Sequence, residues 1–397
     1  ATQADTAVVV GTVSDYLTAK GDAKLYNINL PAGVYLQAQL TTPANADLDY
    51  DLYLLDAEGN ILTGSDYYTY INGTAGTLPE ALGYITSGDT ATYYLYVLAS
   101  EGGSVSESFT LDYSVSTACD SYEIDESVRQ ALAFTYGAGG AYIESRNLSS
   151  PIDNDWYVIT VPSSRIYDKL KISATTASTN TCSVEVYQNV ASEGYQMKRV
   201  GSGNTISVSS GKYYIRVSNA KTMENFDDLD IQNYKLSITP ILKATGIVIT
   251  DLKGSEGLNK VVNYPGYGAH FRTQGSGTLT VYGVLTATDS STGVTYAVGG
   301  EQINGLYYSP AWEANNTSAN AIRRGTGTTD SSGKFEIDIS LPPGIGVYSY
   351  YGSTSTHYFD ICGVSVSPSD DSSISASETI FHLAYTMSVS YTHLRAH

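Results

Sequence analysis

The sequence predicts an all-β chain of three tandem antiparallel β-sandwich domains, jelly-roll and immunoglobulin-like in type. Three observations predict it. Short segments alternate apolar and polar residues, as in "YYLYVLA" (93–99) and "FTLDYSV" (109–115). In a strand this puts Tyr93, Leu95 and Val97, and then Phe109, Leu111, Tyr113 and Val115, on single faces. Clusters of Gly, Asn, Asp and Ser separate such segments at close intervals, which marks sandwiches. Helical periodicity is nearly absent, and only "DESVRQALAF" (125–134) fits a short helix.

The strand pair recurs. "GKYYIRVSNA" (211–220) matches "ATYYLYVLAS" (91–100), and "YKLSITP" (234–240) matches "FTLDYSV", at offsets of 120 and 125 residues. Two copies of one module follow. The comparison also predicts the faces: Tyr96 aligns with Arg216 on a solvated side, while Leu95 and Val97 align with Ile215 and Val217 on a buried one. Linkers are expected near 116–122 and 240–245, giving domains 1–118, 119–241 and 242–390.

Chain length sets the scale for this division, since 397 residues hold several separate cores. The charge is lopsided, 40 acidic against 21 basic residues for a net -19. With no basic stripe, such a surface repels phosphate backbones and anionic membranes, so nucleic acid is excluded as a partner. No apolar run approaches the roughly 18–20 residues of a membrane helix, so no membrane insertion is expected. The chain begins at Ala1, as after signal-peptide removal, and Tyr (35) outnumbers Phe (7). Tyr joins an apolar body to a polar tip and suits surfaces both packed and wet. An extracellular or cell-surface location is expected.

The motifs "VVVGTVSDYLTAKGDAKLYNINLPAGVYLQAQL", "DLDYDLYLLDAEGNILTGS" and "ATYYLYVLASEGGSVSESFTLDYSV" together resemble the bacterial pre-peptidase C-terminal domain. The likeness covers about residues 5–116. A degenerate second copy covers about 120–240 through "NLSSPIDNDWYVITVPSS", "CSVEVYQNV" and "SSGKYYIRVSNA". The resemblance implies a small jelly-roll-like sandwich of the kind appended to secreted hydrolases and surface proteins, some of which bind Ca²⁺. Beyond about 241, "GTLTVYGVLTATDSSTG" and "GTGTTDSSGKFEIDISLPPG" resemble immunoglobulin-like or transthyretin-like sandwiches of bacterial surface proteins, with Phe335, Ile337, Ile339 and Leu341 on one face. The segment 304–325 shows few strand signals. The tail "SYTHLRAH" is basic in an acidic chain and resembles a translated sequencing adapter, so residues 391–397 are expected to be artefactual.

Candidate chemistry concentrates in "NADLDYDLYLLDAEGN" (45–60). Asp47, Asp49 and Asp51 share one strand face with Tyr53, opposite Tyr50, Leu52 and Leu54, of which Leu52 and Leu54 align with Val184 and Val186. Clustered oxygens there suit Ca²⁺, a hard cation taking six to eight oxygen ligands; a solvated strand face also accounts for them. Glycosidase chemistry needs a raised carboxyl pKa, which an open, wet face does not supply. There is no GxSxG elbow, HExxH, Walker A or dinucleotide fingerprint, and His270 and His357 read as structural. No catalytic residues are assigned and the chain reads as non-enzymatic. No cofactor is expected beyond calcium.

The three cysteines, Cys119, Cys182 and Cys362, lack metal-ligand spacing. Cys119 and Cys182 make a reasonable disulfide or serve as small buried hydrophobes; Cys362 points into a core. Asn72, Asn147, Asn315 and Asn316 are sequon asparagines. Interface candidates are Val8, Val9 and Val10, in a terminal segment that reads as the module's own first strand or as one donated to a neighbouring molecule, with Tyr94, Tyr96, Tyr307, Tyr308 and Trp312 from the Tyr-rich clusters. The expected function is that of a secreted, non-catalytic structural protein, a subunit self-associating into a homopolymeric filament. Two alternatives stand beside it: the accessory region of a secreted hydrolase, or a polysaccharide-binding adhesin using 304–325.

Overall fold

The computed structural model describes residues 9–45, 47–66, 68–71, 74–75, 78–117, 119–176, 182–190, 196–202, 204–219, 232–255, 258–264, 268–273, 277–310, 313, 321–342 and 360–383. The chain forms two compact units, Ala1–Ile241 and Leu242–His397. All regular structure among the described residues is β apart from single short turns of helix.

In the first unit, the first sandwich comprises β1 (Val9–Asp15), β2 (Ala23–Leu30), β3 (Tyr35–Thr41), β4 (Asp49–Leu55), β5 (Ile61–Ser65), β6 (Tyr68–Ile71), β7 (Thr74–Ala75), β8 (Glu80–Ile85), β9 (Ala91–Glu101) and β10 (Phe109–Ser116). Two four-stranded sheets, β1-β10-β3-β8 and β2-β9-β4-β5, face one another. Leu36, Ala38 and Leu40 of β3 meet Tyr50, Leu52 and Leu54 of β4, Leu95 and Val97 of β9, and Phe109 and Leu111 of β10. Alternation along each strand sends these to the shared core. Tyr50 adds an edge-on contact with Phe109 at 6.2 Å.

The second sandwich comprises β11 (Leu132–Ala133), β12 (Ala141–Leu148), β13 (Asn154–Val161), β14 (Tyr167–Thr176), β15 (Cys182–Asn189), β16 (Gln196–Ser202), β17 (Thr205–Ser207), β18 (Gly211–Asn219) and β19 (Gln232–Leu242). Sheet β12-β19-β14-β17 faces β11-β13-β18-β15-β16, and the latter continues into β6 and β7 of the first sandwich. β6 pairs in parallel with β16, so a hairpin of one sandwich closes a sheet edge of the other. The core holds Tyr157, Ile159, Ile172, Val186, Ile215, Val217, Leu236 and Ile238, with Val186, Ile215 and Val217 on the side the copies predicted.

Three expectations are decided here. β1 pairs antiparallel with β10 from Val9↔Val115 to Asp15↔Phe109, so the terminal segment is the module's own strand rather than a donated one. Val8 lies outside the described residues, as do the Val9 and Val10 side chains. The segment 125–134 makes only one turn of 3₁₀-helix, Val128–Gln130. The Trp156 N–H instead bonds the Asp125 carbonyl (2.9 Å) and the Phe134 N–H bonds the Val158 carbonyl (2.9 Å), drawing the segment alongside β13. Finally, the side of β18 that carries Arg216 is not a solvated face: Tyr214 joins Trp156, Tyr187, Met197, Val128 and the first sandwich's Leu78 in a small separate core. The two sandwiches thus meet outer face to outer face.

The second unit comprises β20 (Gly246–Gly254), β21 (Leu258–Tyr264), β22 (Gly268–Thr273), β23 (Gly277–Thr288), β24 (Thr295–Ala297), β25 (Gln302–Tyr308), β26 (Ile322–Thr328), β27 (Lys334–Leu341), β28 (Asp360–Pro368) and β29 (Ala376–Leu383). One sheet runs β20-β23-β24, with β27 also paired to β23; the other runs β21-β22-β29-β28-β25-β26. Phe335, Ile337, Ile339 and Leu341 are buried on one face of β27, as their spacing predicted. The stretch 304–325 is less loop-like than expected, since β25 and β26 pair from Gln302↔Thr328 to Tyr308↔Ile322. The tail 391–397 lies outside the described residues. No helix among the described residues is long and apolar enough to cross a membrane.

Candidate functional site

Two places in the first unit collect chemistry-bearing side chains. The first is the outer face of β2-β9-β4-β5. Register sets Leu25 opposite Tyr96 and Asn27 opposite Tyr94 across β2 and β9. It sets Tyr53 opposite Tyr96 and Leu55 opposite Tyr94 across β4 and β9. Leu55 in turn pairs with Ile61, and Tyr53 with Gly64, on β5. A side chain at Gly64 would collide with the Tyr53 ring, so the glycine lets that ring lie flat on the sheet. The Tyr53 and Tyr96 rings meet at 6.1 Å between centroids, tilted by 37°. Leu25 is 58 % exposed and Ile61 63 % exposed, and Tyr94 and Tyr96 are half-buried. In a chain of net charge -19, these positions form an apolar, aromatic surface without a formal charge.

At one end of this face stands the aspartate row. Asp47 is exposed, Asp49 half-buried and Asp51 buried at 6 % exposure, which corrects the expectation of a uniformly solvated row. Asp51 accepts from the Tyr53 hydroxyl (3.2 Å). Burial, then the neighbouring Asp51, Glu101 and Asp66 charges, push the Asp49 carboxyl up to about 6; the sequence reading that nothing there raises a pKa was wrong. The three do not converge as a ligand set. Among the described residues, the carboxylate groups that do come together for a metal lie elsewhere.

That second place is the joint between the sandwiches. On β3, Leu36 and Ala38 face the core, so Tyr35, Gln37 and Gln39 face outward, where the segment 120–127 and the start of β13 cover them. The Tyr35 hydroxyl donates to Glu123 Oε2 (2.8 Å) and Gln37 Nε2 donates to Glu126 Oε1 (2.9 Å). Asn154 Nδ2 donates to Gln39 Oε1 (3.2 Å). Gly83, opposite Gln37 on β8, supplies the room Glu126 needs, since a Cβ there would overlap its carboxylate.

One cation serves this cluster from within. A register shift between Ile143 and Arg146 interrupts the pairing of β12 with β19, and Ser145 takes φ 63°. Such a bulge re-aims the next side chain, and Arg146 is fully buried. Its Nη1 donates to Asp120 Oδ1 (2.6 Å), its Nε to the Tyr157 hydroxyl (2.6 Å) and its Nη2 to Asp125 Oδ2. Asp155 Oδ2 stands 3.1 Å from Nη2 and accepts from the Tyr234 hydroxyl. Tyr122 and Tyr157 flank the guanidinium at 4.9 and 5.4 Å. Asp153 accepts from the Ser149 amide and hydroxyl.

Burial dominates the acid–base behaviour. It pushes Asp125, Glu126 and Asp155 well above the carboxylate range, helped by neighbouring carboxyls and opposed at Asp125 and Asp155 by Arg146. Asp153 is pushed up to about 7 by burial and then by Glu123. These groups are sealed between modules, so their shifted protons do not face a substrate cleft.

The remaining candidates are dispersed. Cys119 and Cys182 stay thiols and form no disulfide. Cys182 packs on the second core, whereas Cys119 sits among Glu123, Asp120 and Asp153. Asn147 is half-buried with Oδ1 enclosed, unlike an open glycan acceptor; Asn72, Asn315 and Asn316 lie outside the described residues. Tyr307 is not an interface residue, because it is fully buried. Its hydroxyl contacts Cys362 Sγ (3.0 Å) and His382 Nδ1 (2.9 Å). Sequence reading singled out His270 and His357 and passed over His382, whose pKa burial lowers to about 4. Tyr308 is half-buried and bonds Glu313; Trp312, His357 and the His270 side chain lie outside the described residues.

No family profile matches the chain. Over 74 residues it is 36 % identical to the uncharacterized protein YlqB of Bacillus subtilis (strain 168), covering 19 % of this chain and 46 % of that protein. The chain therefore spans under half the length of that curated relative. Among solved structures, similarity reaches the PBSX exported protein XepA, at 9 % identity over 58 % of this chain and 85 % of that one, TM-score 0.21. It also reaches the tandem CBM22-1–CBM22-2 domains of Paenibacillus barcinonensis Xyn10C, at 12 % identity over 60 % and 92 %, TM-score 0.18. The Bacillus licheniformis lipase BlEst2 in propeptide form overlaps at 8 % identity over 85 % and 44 %, TM-score 0.19.

Proposed function

We propose that this chain is a secreted, non-catalytic surface protein that works by association with copies of itself, in its fullest form as the subunit of an extracellular filament. The supporting observation is the apolar stretch of the outer face of β2-β9-β4-β5 next to its aspartate row, where Leu25 and Ile61 are open to solvent beside Tyr53, Tyr94 and Tyr96. Copies that each carry -19 repel one another, and a charge-free apolar patch is where that repulsion costs least. The mixture of aliphatic and aromatic residues matches a protein interface core, which is enriched in Tyr and depleted of charge. The joint supports a mechanical role as well, since two sandwiches sharing a sheet and a buried polar network present that face on a stiff body.

Sedimentation velocity at rising concentration tests the proposal. The unmodified protein is expected to form larger species, and Leu25→Glu with Tyr96→Glu to abolish them without changing the circular dichroism. Equal association by the variant would remove the face from the account. A polysaccharide-dependent mobility shift, lost in the same variant, would instead support the adhesin alternative, to which the same tyrosines lend stacking surfaces.

A further inference from the structure

The geometry points to a divalent-cation site at the joint between the two sandwiches of the first unit, centred on Glu123 and completed by Gln37 of the opposite module. Carboxylate oxygens of Glu123, Asp153 and Asp155 lie within 4.8 Å of one another, as do those of Glu123, Asp125 and Glu126. Acidic residues alone make no site, and the way each carboxylate spends its two oxygens is what points to a ligand. One oxygen of each is engaged by protein: Glu123 Oε2 by Tyr35, Asp125 Oδ2 by Arg146, Glu126 Oε1 by Gln37, Asp153 Oδ2 by Ser149, and Asp155 Oδ2 by Tyr234. The second oxygen of each is buried with no hydrogen-bond partner.

Gln37 gives the independent observation. It belongs to the first sandwich, it is neutral, and it is 1 % exposed. Its Nε2 is engaged by Glu126, and its amide stands beside Asp153, whose carboxyl it helps hold down. Its Oε1 is buried and unpartnered. An unpaired buried carbonyl carries a desolvation penalty, which a bound cation removes, as does the O–H of a protonated neighbouring carboxyl; the response to acidification tells the two apart. Each triad, with Glu123 common to both, gathers three hard oxygen ligands of the kind Ca²⁺ collects in a shell of six to eight.

Charge points the same way. Arg146 is the cation of the cluster, and its donors are committed to Asp120, Asp125 and Asp155. Arg146 also acts on Glu123, whereas Glu126 and Asp153 form no ion pair among the described residues. Because Gln37, Tyr35 and Gly83 come from one sandwich and the carboxylates from the linking segment and β13, an ion here would fasten one module to the other.

Differential scanning calorimetry of the full chain, stripped with EDTA and then given CaCl₂ at neutral pH, tests this. A ligand well above its Kd raises Tm through mass action, here by roughly 5–10 °C for the first unit's transition. The second unit's transition is expected to stay in place. Titration calorimetry of Gln37→Leu and Glu126→Gln should show at least a ten-fold weaker Ca²⁺ affinity, Gln37→Leu being the variant that reads the opposite module. Glu126→Gln removes the carboxyl a cation would bind and keeps the side chain's shape, so it stays informative if Gln37→Leu folds poorly. Absence of heat and of a Tm shift at millimolar CaCl₂ would overturn the site, as would unchanged affinity in both variants. A first-unit Tm that rises on acidification but ignores Ca²⁺ would show protons neutralising the cluster and would also overturn it.

Discussion

Replacing Arg146 by Met removes a guanidinium that is fully buried and keeps a side chain of similar reach. Three carboxylates lose their counter-charge at once: Asp120 at 2.6 Å, Asp155 at 3.1 Å, and Asp125 on the same Nη2. The Tyr157 hydroxyl loses its donor as well. Removing one partner of a buried ionic network costs about 3–5 kcal/mol, because the partners stay buried and unpaired. For a body of this size each kcal/mol moves Tm by about 2–4 °C, so the first unit is expected to melt roughly 10 °C lower. Calorimetry of the EDTA-treated full chain near neutral pH reads this, with the second unit's transition as internal reference. The deficit is expected to shrink in mild acid, where the stranded carboxyls take up protons. A loss under about 1 kcal/mol, or one equally large at both pH values, would refute the view that Arg146 is the charge centre of the joint.

The two units should respond to pH with opposite signs. In the first, Asp125, Glu126, Asp153 and Asp155 hold protons to higher pH folded than unfolded. Without divalent cations, stability is therefore greatest near the unfolded carboxylate value of about 4 and falls as pH rises through the folded values. For Asp153 the folded value is about 7. In the second, His382 stays neutral down to about 4. That unit loses stability as pH falls from the unfolded imidazole value of about 6.5, by on the order of 2–3 kcal/mol. Parallel shifts of both transitions between about pH 7 and pH 4.5 would contradict the assignment. Gly83→Ala fills the space Glu126 occupies and is expected to lower the first unit's Tm by several degrees; a neutral result would mean that the joint yields freely. Gly64→Ala should displace the Tyr53 ring and weaken self-association with little loss of stability, read by sedimentation and melting together.

The sandwich layering was legible because one face of each sheet is buried and a period of two writes itself into the residues. Leu95 with Val97 and Phe335 with Ile337 needed no structure to be placed. The joint was not legible, because Tyr35, Gln37 and Gln39 alternate with Leu36 and Ala38 as a solvent face does. Nothing in that local pattern says that another module's carboxylates will cover it. Asp47, Asp49 and Asp51 drew attention by their spacing, whereas the converging set comes from residues 123–126 and 153–155, which are distant in sequence. A signal was present in the two acidic runs, "CDSYEIDES" and "PIDND", which flank Arg146; its reading as an interior cation needed the bulge at Ser145. His382 was missed because its partner Tyr307 lies on a strand far earlier in the chain. Tyr307 itself was misplaced because a Tyr cluster gives no phase until pairing fixes which ring points inward.

Negative-stain microscopy of the purified chain, viewed as its concentration is raised, tests the central reading most directly. Association through the apolar Tyr-rich stretch of the β2-β9-β4-β5 face predicts ordered fibres or strings of contacting particles, dispersed by glutamates at positions 25 and 96. Particles that remain single at every concentration, or fibres indifferent to those two substitutions, would contradict it.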